Sequence, residues 1–94
     1  MTNSILSDRR ECFVCRTTQN LHRHHVYPSG RRKISEREGC WVWLCARHHN
    51  MSNDGVHFNH ALDIEIRQKC EAAWLQKNGK TTDDFIRVFG RNYL

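Results

Sequence analysis

The chain lacks any apolar run long enough to cross a bilayer, and its 94 residues include only one proline and five glycines. A membrane-spanning helix needs about 20 consecutive apolar residues, and the mean hydropathy is -0.78, so the sequence predicts no membrane protein. Repeats, low-complexity segments and Pro/Gly/Ser-rich linkers are also lacking, which predicts one domain over residues 1–94. A chain of this size buries only about 60 to 65% of the surface that it exposes when unfolded. We therefore expect a further stabilising element, such as a disulfide or a bound metal, in addition to the apolar core.

The cysteine content argues against a secreted disulfide scaffold. Five cysteines are an odd number, no apolar signal segment follows Met1, and histidine is abundant, with seven copies. These features favour thiols that hold a metal in a reducing compartment. We therefore expect a cytoplasmic protein.

Positive charge is concentrated in the first half of the chain. Residues 1–47 contain nine Lys/Arg and four Asp/Glu, whereas residues 48–94 contain six of each, so the net charge of +5 lies entirely in residues 1–47. That half would attract a phosphate backbone, and a polyanion is the expected partner. Ordinary solubility charges on a solvated surface are the alternative interpretation.

Two cysteine-containing half-sites predict a structural zinc. Cys12 and Cys15 form a C-x2-C pair, and Cys45 and His48 form a C-x2-H pair after 29 intervening residues. Four soft or borderline ligands in two tight turns suit tetrahedral zinc, and a closed site of this kind adds folding free energy that a small core lacks. A redox pair or a disulfide between Cys12 and Cys15 is the competing interpretation.

Residue patterns predict an α+β fold in three segments, which are an N-terminal arm (1–10), a metal-binding core (11–58) and a helical extension (59–94). The arm is expected to be loose. In the core we expect strands at 21–27 and 40–44, a loop carrying residues 31–33, and a short helix at about 46–53. In the extension, the spacing predicts a helix over 62–77 and a second helix from Thr81 or Thr82 to Gly90 that buries Phe85, Ile86 and Phe89.

Several apolar residues allow two interpretations. Cys40 and Cys70 have no partner at ligand spacing, and both are predicted to lie in the core. Trp74 and one of Trp41 and Trp43 are predicted to be core, although aromatic rings can also stack on nucleobases. Which face of the second strand is buried stays open.

Histidines outside the zinc set indicate a second site. Once His48 is assigned to zinc, His49 points about 100° around the helix from it. His24 and His25 arrive from the first strand, and His57 and His60 follow the short helix, so up to four imidazoles could converge with His49. Taken singly, each of them could instead be a surface histidine.

The combined pattern resembles the HNH endonuclease family. The matching pieces are Cys12-x2-Cys15, His24-His25-Val26 and Leu44-Cys45-x2-His48-His49-Asn50, with a glycine-bearing loop between them. They extend from about Cys12 to His57, roughly half of the chain, and the whole layout is similar to that of small HNH proteins coded by bacteriophages and prophages. The resemblance implies a ββα-metal core, DNA as substrate, a bacterial or phage-infected cell, and a phage-packaging or restriction component as a candidate partner.

The resemblance also implies roles for individual residues. His25 corresponds to the general base. The ligands of a catalytic metal correspond to His24, His49 and a third group, either His57 or, as the runner-up, Asn53. The family's middle asparagine, which helps to orient the base, is replaced by Cys40. Either a backbone carbonyl or a nearby side chain therefore orients His25, or activity is reduced.

Metal-assisted hydrolysis of a phosphodiester explains why these residue types are needed. Histidine can take a proton from water near neutral pH, and a divalent cation (Mg2+, Mn2+, Ni2+ or Zn2+) can stabilise charge on the phosphorane and the leaving oxygen. Because adjacent strand residues point to opposite faces, the strand must end or bulge for His24 and His25 to share one cavity. Phosphate contacts are expected from Arg23, Arg31, Arg32 and Lys33. The alternative function is a zinc-stabilised DNA-binding module without catalysis.

Overall fold

The computed structural model describes residues 3–27, 29–51, 55 and 59–94, and in these the protein has a small mixed α+β fold. In chain order the elements are β1 (Leu21–His25), a 3-10 turn (Ser29–Arg31), α1 (Arg32–Glu38), β2 (Trp41–Cys45), a π-helical turn (Arg47–Met51), α2 (His60–Asn78) and α3 (Thr82–Phe89). Both predicted strands and both predicted C-terminal helices are present. The short helix expected at 46–53 is instead the π-helical turn.

β1 and β2 pair antiparallel over all five residues of each strand. Paired residues share a face, and neighbours along a strand alternate between faces. One face carries His22 and His24 opposite Leu44 and Val42, and the other carries Arg23 and His25 opposite Trp43 and Trp41. The alternation continues through His25, where β1 ends. His24 and His25 therefore lie on opposite faces, and the expected convergence of both in one cavity is not found in the described structure.

The expectation of a loop at residues 31–33 is wrong, since Arg32 and Lys33 begin helix α1. Only Ser35 of this helix is buried, so its sequence has no apolar periodicity that would reveal a helix. Tertiary contacts hold it instead, because the Ser35 hydroxyl donates to the carbonyl of Tyr27 at 2.9 Å and accepts from the Tyr27 N–H at 3.3 Å. Gly39 then ends α1 in the left-handed conformation, with φ of 76°. These contacts fix α1 beside the end of β1.

The N-terminal residues pack on the sheet, so the expectation of a loose arm is wrong for the part of the arm that the structure describes. The N–H of Ile5 donates to the carbonyl of Gly39 at 2.9 Å, and the Ser4 hydroxyl donates to the carbonyl of Trp41 at 2.5 Å. Ile5 and Leu6 pack against the apolar core. A Cβ at Gly39 would lie only 2.5 Å from a backbone oxygen of the arm. A glycine is therefore needed where the arm crosses the chain.

The C-terminal half consists of two capped helices. The side chain of Asn59 accepts from a backbone N–H in the first turn of α2, which ends at Gly79 in the left-handed conformation. Thr81 and Asp84 form a reciprocal capping box at the start of α3. The prediction that Ile86 is buried is wrong, because 37% of its surface is exposed.

The buried core joins the sheet to α2 and α3. Its members are Cys12, Val26, Tyr27, Cys40, Val42, Leu44, Cys45, Ile66, Cys70, Trp74, Phe85 and Phe89. The prediction that Trp74 is core is confirmed, and of the strand pair Trp41 is buried while Trp43 is partly exposed. In the described part of the chain, every helix is too short or too polar to cross a membrane.

Candidate metal centre and adjoining histidines

The four predicted zinc ligands come together in one cluster. The ligand atoms of Cys12, Cys15, Cys45 and His48 all lie within 4.8 Å of one another. The Sγ atoms of Cys15 and Cys45 are 3.8 Å apart, and His48 Nδ1 lies 3.3 Å from the sulfur of Cys45 and 3.7 Å from that of Cys12. Tetrahedral zinc, with Zn–S of about 2.3 Å and Zn–N of about 2.0 to 2.1 Å, would separate two sulfurs by about 3.8 Å and a sulfur from a nitrogen by about 3.6 Å. The cluster therefore has the donor set and the size to hold a structural metal such as zinc.

Tight turns in the first half-site aim its two thiols at β2. The N–H of Cys12 donates to the carbonyl of Thr17 at 2.8 Å, and the N–H of Arg16 donates back to the carbonyl of Cys12 at 2.9 Å. Arg16 has a φ of 68°, which is uncommon for a residue with a side chain and marks the sharp turn after Cys15. The N–H of Phe13 donates to the carbonyl of Trp43 at 2.8 Å. This bond ties the turn to the strand that ends at the third ligand.

Electrostatics at the cluster favour the metal-binding thiolate form of Cys12 and oppose the thiolate form of Cys45. Burial raises the pKa of the Cys12 thiol, but hydrogen bonds from the backbone N–H groups of Cys15, Cys45 and Val14 outweigh it and lower the pKa to about 6. At pH 7 that thiol is largely thiolate, the form that ligates zinc. Burial and the neighbouring thiols raise the pKa of Cys45. A cation in the cluster would therefore be needed to hold both sulfurs as thiolates.

The other two cysteines lie in the core, as predicted. Both Cys40 and Cys70 are fully buried. The hydrogen bond with Cys70 and burial raise the pKa of the Cys40 thiol well above its usual range. The thiol of Cys40 therefore stays neutral and behaves as a small apolar side chain.

Three imidazoles gather on one face of β1. The ring centroid of His49 lies 5.4 Å from that of His24 and 5.2 Å from that of His22, and the Nδ1 atoms of His22 and His49 are 3.0 Å apart. His24 is 6% exposed, whereas His22 lies at the surface. Among the residues that the structure describes, the Cys/His cluster is the one group of three or more ligand side chains that could hold a metal ion. The three imidazoles would therefore have to rotate to ligate one ion.

His25 lies on the opposite face and contacts α1. Its Nε2 is 3.0 Å from Oε1 of Glu36, and the other oxygen of Glu36 accepts from Arg23 at 3.0 Å. A carboxylate at this distance accepts from Nε2–H, which leaves Nδ1 of the neutral ring free to accept a proton. Arg32 and Lys33 line an open cavity of about 460 Å³ together with His25 and Glu36. The cavity thus combines a histidine–carboxylate pair with basic side chains.

The four predicted phosphate contacts have different surroundings. Arg32 and Lys33 are exposed at the start of α1. Arg31 donates from Nε to the carbonyl of Phe89 at 2.9 Å and so links the start of α1 to the end of α3. Arg23 lies over the ring of Trp41, with 3.6 Å between Cζ and the ring centroid. His57 and Asn53, the two predicted third ligands, lie outside the described residues.

Two residues of this region were not among the predicted site residues. His22 belongs to the imidazole group because it lies two residues before His24 and shares its strand face. The two-residue period of the strand is the sequence signal that identifies it. Glu36 lies in α1, for which the sequence pattern gave no signal.

No family model matches the chain, and comparisons with curated proteins and with solved structures also find no match.

Proposed function

We propose that this protein is a metal-dependent DNA endonuclease of the HNH type. The observation that carries the proposal is the arrangement around β1, with an imidazole group containing His24 and His49 on one face and the His25–Glu36 pair on the other. β1 ends at His25, and the proposal requires a phosphate at this end of the strand to reach both groups. The order of two strands and a helical turn beside a Cys/His cluster also supports a ββα-metal core.

The divalent cation would be held by His24 and His49, with His22 as a further candidate ligand. His57, or Asn53 as the runner-up, stays a prediction for the third position. Imidazole donors favour transition metals, although Mg2+, Mn2+, Ni2+ and Zn2+ are all to be tested. When bound, the cation would stabilise the negative charge that develops on the phosphate and on the leaving oxygen.

His25 would act as the general base, and Glu36 would orient it. The Glu36 carboxylate accepts from Nε2–H, so Nδ1 can take a proton from water, and the carboxylate then stabilises the imidazolium that forms. In this arrangement Glu36 does the work that the family assigns to the middle asparagine, whose place Cys40 takes. Arg23 holds the second oxygen of Glu36 and limits its rotation.

Substrate would be bound mainly through its backbone. Arg32 and Lys33 line the cavity of His25, and the first half of the chain carries the whole net charge of +5. Such side chains contact phosphate oxygens and position the duplex without reading its sequence. Binding should therefore weaken steeply as the salt concentration rises.

The test is cleavage of supercoiled plasmid by zinc-loaded protein with Mg2+, Mn2+, Ni2+ or additional Zn2+. His25→Ala should lower the cleavage rate by about 10² to 10⁴-fold, the usual contribution of a general base. Glu36→Gln should lower it by about 10- to 100-fold, as expected for a residue that acts through another one. His60→Ala is the matched control, because this exposed histidine lies outside both groups, and it should cut at the wild-type rate.

Two further readouts separate catalysis from folding and from simple binding. His25→Ala should melt at nearly the wild-type temperature and still bind plasmid. The alternative is a zinc-stabilised DNA-binding module, and it is favoured by the fact that, in the described residues, the Cys/His cluster is the one group assembled closely enough to hold a metal. Plasmid binding without cutting under every metal would support that module and overturn the nuclease.

A further inference from the structure

A second cavity lies at the end of the Trp-bearing sheet face, and the proposed chemistry makes no use of it. It has a volume of about 250 Å³ and is formed by the N-terminal arm and the indoles of Trp41 and Trp43. The two rings meet edge to face, with 5.4 Å between centroids and 87° between planes. Trp41 is 7% exposed, whereas Trp43 is only partly buried and presents its ring to the cavity.

A guanidinium group lies over each of the two indoles. Cζ of Arg10 lies 4.9 Å from the centroid of Trp43, and Cζ of Arg23 lies 3.6 Å from the centroid of Trp41. The wall of the cavity also includes Arg9 and a single acid, Asp8, so its charge is positive. A flat aromatic surface flanked by guanidinium groups suits a ligand that is aromatic and anionic at once. A nucleotide has both properties.

The cavity is connected to the candidate active site through the sheet. Trp43 is paired with Arg23, and Trp41 with His25, so Trp43 lies two residues along the strands from the pair that contains the proposed base. Two residues of a strand span about 7 Å, which is on the scale of one or two nucleotides along a DNA strand. A base on Trp43 would therefore lie within one or two nucleotides of a phosphate held at His25.

We propose that this cavity binds an unpaired nucleobase of the DNA substrate, stacked on the indole of Trp43. The inference rests on the proposed function and names its substrate class, which is DNA with a single-stranded segment beside the cut. The volume of about 250 Å³ is slightly below the range of about 300 to 1,000 Å³ of pockets for drug-sized ligands, which suits a single base. A base in a duplex has both faces covered by its neighbours and cannot enter. The entering base displaces Arg10 from the ring, and the guanidinium group then contacts the phosphate of the same nucleotide.

Binding measurements without added divalent cation test the inference separately from cleavage. Fluorescence anisotropy would compare a labelled single strand of about 16 nucleotides with a hairpin duplex of the same sequence. Wild-type protein should prefer the single strand. Trp43→Ala should weaken single-strand binding by about 5- to 150-fold, the equivalent of about 1 to 3 kcal/mol for stacking one base, and change duplex binding by less than twofold. Ile86→Ala, which removes an exposed apolar side chain from α3, is the control and should change neither.

Two additional measurements guard against a misfolded variant. Trp43→Phe keeps an aromatic surface and should retain most of the single-strand preference. A single strand carrying 5-iododeoxyuridine should form a photochemical crosslink to Trp43 in the wild-type protein, identified by mass spectrometry of the peptide. Equal losses for single strand and duplex in Trp43→Ala, or crosslinking elsewhere only, would overturn the inference. Plasmid cutting that is indifferent to Trp43 would overturn it while leaving the nuclease proposal intact, and absence of binding to either DNA would overturn both.

Discussion

Replacing Cys45 with alanine should unfold the protein. Its sulfur lies 3.3 Å from His48 Nδ1 and 3.8 Å from the sulfur of Cys15, and 6% of the residue is exposed, so neither water nor a neighbouring side chain can readily replace it as a ligand. Binding of structural zinc contributes about 10 to 16 kcal/mol in zinc-finger peptides, whereas a whole domain is stable by only about 5 to 15 kcal/mol. Loss of the metal is therefore comparable to the entire free energy of unfolding.

The assay combines metal analysis with thermal unfolding followed by circular dichroism. Wild-type protein should contain one zinc per chain and lose its melting transition when a strong chelator is added. Cys45→Ala should contain no zinc and show no cooperative transition. Cys40→Ala is the matched control, because it removes a buried sulfur outside the cluster. It should keep its zinc and lose about 1 kcal/mol, the cost of deleting one buried methylene-sized group.

A folded Cys45→Ala protein that melts near the wild-type temperature without zinc would refute the reasoning. Loss of zinc from Cys40→Ala would equally mean that the ligands are assigned to the wrong cysteines.

Three further predictions concern positions outside the metal centre. Ser35→Ala should lower the free energy of unfolding by about 1 to 3 kcal/mol in urea titrations, because the buried N–H and carbonyl of Tyr27 lose their hydrogen-bond partner. An unchanged urea midpoint would contradict the docking of α1 by this residue. Burial raises the pKa of Glu71, so the folded state holds the proton of this group more tightly. The stability that Glu71 contributes should therefore be fully present below its unfolded-state pKa and be lost as pH rises through its folded-state pKa. Glu71→Gln should therefore gain melting temperature over the wild type as pH rises through that window, whereas exposed Glu65→Gln should not, and a difference that is independent of pH would contradict the assignment. Thr81→Ala should cost about 1 kcal/mol through the lost cap, or about 4 to 8 °C in melting temperature, while Thr82→Ala should be nearly neutral; equal effects would contradict the capping box.

The metal cluster could be predicted from sequence because its information is local. Each half-site holds two ligands three residues apart, and such spacing in a tight turn leaves few other structures for the chain to adopt. The caps of α3 are local in the same way, since Thr81 and Asp84 are three residues apart. Short-range patterns of this kind determine local structure independently of the tertiary contacts in the rest of the fold.

The parts that could not be predicted depend on tertiary contacts. α1 is held by Ser35 against Tyr27 and by Gly39 rather than by an apolar stripe, so the position of Glu36 beside His25 had no sequence signal. The prediction that Ile86 is buried was wrong for a similar reason. Helix α3 is short, and its residues Phe85 and Phe89 already cover the core. The mixed α+β class could be predicted from residue patterns, but the residue that pairs with the proposed base could not.

The alignment of the two strands has a consequence for how the metal cluster supports activity. Side chains on a strand alternate, so displacing β2 by one position would exchange the surroundings of every histidine on β1. Cys45, opposite Leu21, is both the last residue of β2 and a cluster ligand, and a bound ion would anchor it to the turn at Cys12 and Cys15. The ion would thereby fix the register of β2 against β1. A chain with the wrong register could still be compact and helical, but its imidazoles would lie on the wrong face of the sheet.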